Sequence, residues 1–409
     1  MALQSVLPAI GREFGLPDTL VAAAFSISAL LWMATSPFWA RQSDRLGRKR
    51  VILIGLGGFV VSMFGFGVAT TAGLGGWLPV AVAFILMTIA RSVYGGFGSA
   101  APIASQAYLA DRTTAAKRTQ AMAMLASALG LGTVIGPAMA PFFVLPVVGL
   151  AGPLYTFTLV GACVWWLVFK RLPSGDAMRT PAPGRREERV GKGLWKDPRV
   201  RDHLIYGVLL SSVQAVNMTV LGFHIIDEMA AGDMAASQAQ PFIGVAMLAG
   251  AAATLMAQWG LIPLLKLGPR DLMRYGAVMA LVGNLLSIVA PGYFGVVVGY
   301  TIVSMGLGFA RPGFTAGSSL AVKSSEQGAI AGLMMSVAGF SFLAPPVIGV
   351  ALYQIGESAP FAVNALILAG AVVLCFRSPL LRLDAGGKRA RQAETAALPA
   401  SQPGPEGGR

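Results

Sequence analysis

Charge is what this chain has least of. Of its 409 residues only 12% are Asp, Glu, Lys or Arg, while 55% are hydrophobic. A soluble protein carries about 25% charged residues. Half that value, with apolar runs of about 20 residues recurring throughout, points to an all-α polytopic membrane protein. Cysteine is almost missing as well. Cys163 and Cys375 each sit in an apolar run without CxxC or metal-ligand spacing, and read as small packing residues. The two histidines, His203 and His224, are far apart and form no metal or catalytic motif. No metal and no cofactor is expected. There is no G-x-x-x-x-G-K-[ST] loop, so ATP-driven transport is unsupported. No GxSxG, HExxH or carboxylate pair stands in a plausible catalytic context, and no enzyme is expected. Finally, no Asp or Glu lies in the middle of any apolar run.

The apolar runs themselves are abundant. Full spans are expected at about 19–39, 51–71, 79–109, 119–142, 146–169, 203–226, 241–265, 272–290, 293–322, 328–353 and 359–376, eleven in all. The formal net charge of +13 does not point to nucleic acid, because the cations gather in alternate short loops. Basic loops lie at 40–50, 111–118, 170–202 and 266–274, and after Arg377. The positive-inside rule puts them, and the C-terminus, in the cytoplasm of a plasma (inner) membrane. An odd number of spans then leaves residue 1 outside. The opening MALQSVLPAIGREFG is too short to cross a bilayer and reads as the outer end of a first helix that is truncated here.

Two halves follow. Residues 1–169 form an N-terminal bundle (helix 1 partial, helices 2–6), 170–202 a cytoplasmic linker with ten Lys/Arg against five Asp/Glu, and 203–378 a C-terminal bundle (helices 7–12). Residues 379–409 read as a disordered cytoplasmic tail. The stretch YLADRTTAAKRTQAMAMLASALGLGTVIGP (108–137) echoes SLAVKSSEQGAIAGLMMSVAGFSFLAPP (319–346). Parallel six-helix repeats of this kind mark a two-bundle transporter with pseudo-twofold symmetry.

Four constellations stand out. In ARQSDRLGRKR (40–50), Gly47 allows a tight turn, while Arg45, Arg48, Lys49 and Arg50 hold the loop in the cytoplasm. Asp44 can pair with Arg48 one helical turn on, or face the N-terminus of another helix. In RSVYGGFG (91–98), Arg91 stands 20 positions before Asp111. That is about 30 Å of helix, so Arg91 belongs inside the membrane, where an arginine marks a functional cavity. In GLGTVIGPAMAP (130–141), Gly132 and Gly136 permit close helix packing and Pro137 bends the helix. Arg311, in GFARPGFTAG, is a second intramembrane arginine, on the helix that corresponds to Arg91's. It pairs at an inner gate or, with Arg91, binds an anionic group. Tyr94, Gln214, Asn217 and Asn284 are uncharged candidates for a cavity, or ordinary interhelical hydrogen-bonding groups. His224, Asp227 and Glu228, at an outer helix end, are the titratable candidates for coupling.

These motifs resemble those of the major facilitator superfamily over nearly the whole chain. The 40–50 loop is similar to the signature G-x-x-x-D-R-x-G-R-R/K, with Ala40 in place of its first glycine. Arg91 and Gly95 resemble the fourth-helix pattern R-x-x-x-G, and Gly132, Gly136 and Pro137 the fifth-helix antiporter pattern, whose closing glycine pair is here Ala140 and Pro141. The resemblance implies the two-bundle fold, alternating access, a role for Arg91's position in proton transfer, and export of small organic or drug-like compounds against protons. It also implies a latch, with Asp44 docked near the helix start at Gly328 and Arg48 reaching Asp111, that holds the outward-facing state. The expected partners are a small-molecule substrate, protons and the lipid bilayer, with no nucleic acid and the chain monomeric. The alternatives are a proton-coupled importer of an organic anion and a non-transporting receptor on the same fold.

Overall fold

The structure, a computed structural model, describes residues 3–113, 148–173, 196–290, 292–322, 326–341 and 343–378, with Leu194, Leu381 and parts of 124–144. Most of the expected linker and nearly all of the expected tail lie outside the described residues. The helices are α1 (Leu3–Glu13), α2 (Asp18–Leu46), α3 (Arg48–Leu74), α4 (Val80–Phe97), α5 (Ala100–Arg112), α6 (Gly130–Phe143) and α7 (Gly152–Arg171) in the first half. The second half holds α8 (Pro198–Ala230), α9 (Gln240–Leu265), α10 (Pro269–Val289), α11 (Gly292–Leu320), α12 (Gln327–Ser341), α13 (Pro345–Ile355) and α14 (Ala359–Arg377).

Taking α4 with α5 and α12 with α13, ten helices among the described residues are long and apolar enough to cross a membrane. The span expected at 119–142 is described only in its later part, as α6. Two expected spans are interrupted. The fourth helix loosens at Gly98 and Ser99, and the run at 328–353 breaks before Pro345 and Pro346, which have no N–H to continue a helical ladder. Within α9 a π turn over Met256–Leu261 precedes Pro263 and absorbs the hydrogen bond that proline cannot make. Asp197 caps α8, accepting from the backbone N–H of Arg199 at 2.9 Å. Hydrogen bonds from the Arg199 side chain and backbone hold its carboxyl below the usual carboxylate range.

The outer faces are apolar. Val61, Leu159, Leu264 and Leu366 are each more than 60% exposed, a distribution suited to hydrocarbon and not to water. At the basic-loop end, Lys170 sits over Trp166, Arg112 over Tyr108 and Arg274 over Phe376, with cation-to-ring distances of 4.2–4.7 Å. Such amphipathic pairs suit a membrane–water boundary. The chain is an integral membrane protein.

The buried cores show how the halves meet. Away from the basic loops one cluster runs through both halves, joining Val6, Ile10, Phe25 and Met87 to Val220, Phe223, Ile243 and Tyr353. Toward the basic loops the cores are separate among the described residues. Trp39, Val51, Ile52, Ala100 and Ala104 belong to the first half alone, and Tyr206, Met273, Phe314 and Cys375 to the second alone. Among the described residues the halves therefore share a core at one end and not at the other. Within the second half α10 and α11 approach most closely through glycine. A Cβ at Gly306 would stand 2.5 Å from the backbone nitrogen of Ala280, and one at Gly276 would stand 2.6 Å from that of Ala310.

Gly306→Val is therefore expected to force α10 and α11 apart and destabilise the fold by about 3 kcal/mol, near the upper end of overpacking costs. The measurement is the melting temperature of the protein in detergent. Gly370→Ala, where a Cβ would meet open space, is the control and should leave it unchanged or raise it slightly.

Candidate functional site

The basic loop forms as the spacing foretold, up to a point. Gly47, with φ of 90°, makes the turn between α2 and α3. Arg48 then reaches three partners: Asp44 at 2.6 Å, Asp111 at 2.9 Å and the hydroxyl of Ser43 at 2.9 Å. Lys49 donates to the carbonyl of Phe169 at 2.8 Å, and Arg45 is exposed. All of these contacts lie within the first half. The Asp44 side chain is 67% exposed, as a carboxylate docked on a helix terminus would not be. The side chains at the other expected partner, the helix start near Gly328, lie outside the described residues.

The two mid-span arginines have other surroundings. Arg91 lies 11 residues into α4, about 16 Å from its start. Only 8% of it is exposed. Its guanidinium sits 5.1 Å from the ring of Phe25 and 4.8 Å from that of Tyr94. Tyr94 in turn packs on Trp32 and Phe59. Gly95, one turn on, brings α4 against α2, since a Cβ there would be 2.6 Å from the carbonyl oxygen of Ser28. Among the described residues no oxygen accepts a hydrogen bond from Arg91, and its Nε is buried without a partner. Arg311 lies nine residues before the end of α11, about 14 Å from the basic-loop end. It donates to the side-chain oxygen of Gln214 on α8.

The opposite end is closed by a polar junction. The Leu16–Pro17 turn folds α1 back on α2, so Arg12 grips Asp18 with two hydrogen bonds, of 2.8 and 2.7 Å. The same guanidinium reaches across to Asp227 on α8 at 3.0 Å. Tyr353 on α13 donates to Asp227 at 2.8 Å, and its hydroxyl lies 3.3 Å from Nδ1 of His224. Glu228 follows on α8, half-buried. Two further hydrogen bonds join the halves here, Ser26 to the carbonyl of Leu343 and the Ser237 backbone N–H to Glu13. Arg12 is one-third exposed and Asp18 nearly buried. Its bidentate grip is worth on the order of 1–2 kcal/mol, between an exposed pair and a buried charged hydrogen bond.

Other expected residues fall elsewhere. Asn217 and Asn284 bond to each other at 3.4 Å between α8 and α10, both buried. They are interhelical glue inside one bundle. Pro137 is buried in α6, but a Cβ at Gly132 would meet open space, so that glycine is not a contact point in this state. At the far end of α6, Pro141 and Phe142 do pack on Gly244 of α9. Arg12, Asp18 and Tyr353 were not singled out by sequence. The polar run GREFGLPD (11–18), placed between apolar segments, was the available signal.

Comparison with known proteins agrees with this geometry. The sequence model of the Major Facilitator Superfamily matches residues 1–266. Multidrug resistance protein 2 of Bacillus subtilis (strain 168) is 24% identical over 354 residues, 83% of this chain and 80% of that protein. The class D tetracycline resistance protein of Salmonella ordonez is 28% identical over 177 residues, 41% of this chain and 39% of its own length. The crystal structure of a point mutant of the nucleoside transporter NupG superposes with a TM-score of 0.64 at 17% identity, covering 93% of this chain and 96% of that one, a likeness of fold. With the family matched over well over half its length, two helical bundles and membrane-spanning helices, the chain belongs to the Major Facilitator Superfamily of transporters.

Proposed function

We propose that this protein exports small organic compounds from the cytoplasm in exchange for protons, by alternating access. The observation that carries this reading is the polar junction of Arg12, Asp18, Asp227 and Tyr353, which ties the two bundles at one end while their cores part at the other. With the basic loops in the cytoplasm of a plasma (inner) membrane, this is an inward-facing state sealed on the outside.

The junction supplies what the membrane interior lacks, titratable groups placed where the two halves must separate. Protonating Asp227 removes one negative partner of Arg12 and turns the acceptor of the Tyr353 hydroxyl into a neutral acid. The single, partly exposed Arg12–Asp227 contact is worth on the order of 1 kcal/mol, so its loss shifts the balance of sealed and open states about fivefold. Protonation from outside then opens the outer end, and exchange is completed when that proton passes to the cytoplasm as the outer end reseals. On the cytoplasmic side the exposed Asp44 is free to dock when the basic-loop ends close, so the latch belongs to the other half of the cycle. Export is favoured by the Gly132–Gly136–Pro137 pattern and by the multidrug and tetracycline resistance relatives.

Everted vesicles test this with a panel of fluorescent dyes. An acidified lumen should drive uptake into vesicles holding the wild-type protein, and collapse of the pH gradient should abolish it. Asp227→Asn should lose at least tenfold of the gradient-driven component while keeping downhill flux. Wild-type flux that ignores the gradient would sink proton exchange, and driven uptake in the wrong direction would favour an importer.

The cytoplasmic latch has its own test. Asp44→Asn should leave outer-end spin-label distances of the sealed state intact but lower the outward-open population several-fold. Equal populations in variant and wild type would remove Asp44 from the cycle.

A further inference from the structure

Two sets of arginines in this protein contrast. Arg12 bridges Asp18 and Asp227, Arg48 bridges Asp44 and Asp111, and Arg199 bridges Asp197 and Glu326. Each of these three lies near a helix end, and each holds two carboxylates. Arg91 and Arg311 lie at mid-span and, among the described residues, neither pairs with a carboxylate. Charge is costliest where these two sit, yet there the chain leaves it uncompensated. No Asp or Glu in the middle of any span offsets them.

Their present contacts do not fill the deficit. Arg91 lies over the rings of Phe25 and Tyr94, whose faces accept no ordinary hydrogen bond, and among the described residues its Nε has no acceptor. Arg311 has five N–H donors and a single described side-chain acceptor, the amide oxygen of Gln214. By helix rise, one stands about 16 Å from the outer end of its span and the other about 14 Å from the inner end. In a hydrocarbon layer about 30 Å thick both are near the middle, one in each bundle.

We propose that the cargo bears an acid group, such as a carboxylate, on an aromatic or otherwise apolar skeleton, and that Arg91 and Arg311 recognise that group. Phe25, Tyr94 and Trp32 offer ring faces for the skeleton beside Arg91. A bound anion supplies the acceptors that both guanidiniums lack and lowers the cost of keeping them in the membrane. A lipophilic cation meets two like charges with no acid to offset them, so the site selects against it. This assignment rests on the transport reading but not on its coupling or direction.

Binding to the wild-type protein in nanodiscs tests it, by fluorescence anisotropy with fluorescein and rhodamine 6G. These dyes share a xanthene ring system and carry opposite charge. Fluorescein is expected to bind at least about tenfold more tightly. Arg311→Gln should weaken fluorescein about tenfold without weakening rhodamine 6G, and Arg311→Lys should restore part of the loss. Arg91→Gln should act in the same direction if it folds. Equal or tighter binding of rhodamine 6G, or no binding of fluorescein, overturns the proposal. No gradient is applied, so a failure of proton exchange in vesicles and a failure of anion recognition here are separate results.

Discussion

The Arg12 guanidinium holds one carboxylate from its own half and one from the other, and the sealed end of the molecule is organised around that grip. Apolar packing alone would not give the junction a switch. Leu, Val and Phe contacts between the halves respond weakly to conditions, and in lipid they gain little from excluding water. A charged hydrogen bond shared between two bundles is different. It lies near helix ends, and removing the charge of Asp227 would leave Arg12 with Asp18 alone. The surrounding geometry serves this placement. The Leu16–Pro17 turn presents Arg12 to Asp18, and Tyr353 approaches Asp227 from α13 with His224 behind it.

The basic loop works at the other end on the same principle. Arg48 binds Asp44 and Asp111 as Arg12 binds Asp18 and Asp227, but all of its partners belong to one bundle. A guanidinium satisfied within its own half keeps the loop rigid while the halves are apart. Asp44, exposed on one side, still has acceptor capacity for a second partner when they meet. The two ends thus carry ion pairs of similar chemistry, one between bundles and one within a bundle.

Much of this was legible in the sequence. Hydropathy located the spans because hydrocarbon imposes a length on any helix that crosses it. Gly47 and the Asp44–Arg48 pair could be read because they depend on positions one to four residues apart. The outer junction could not, because it joins residues separated by 215 and 126 positions, with no period to announce them. Asn217 and Asn284 could be read as cavity residues or as interhelical hydrogen-bonding groups, because composition shows that a polar side chain lies in a span, but only the fold shows which neighbour it faces. The expected docking of Asp44 near Gly328 falls at side chains outside the described residues.

The distribution of charge also bears on how such a protein can move. Rocking two bundles requires that contacts at one end break as those at the other form, with a total cost small enough to be met by a ligand or a proton. Strong ion pairs buried at mid-span between the bundles would oppose this, because separating them would leave bare charges in a medium of low dielectric. Here the ion pairs lie near helix ends, where water can solvate the fragments as they separate. The mid-span cations are held by aromatic faces and one amide, contacts within their own bundles that need not break when the bundles rock. Among the described residues the pivot therefore carries no ionic lock of its own.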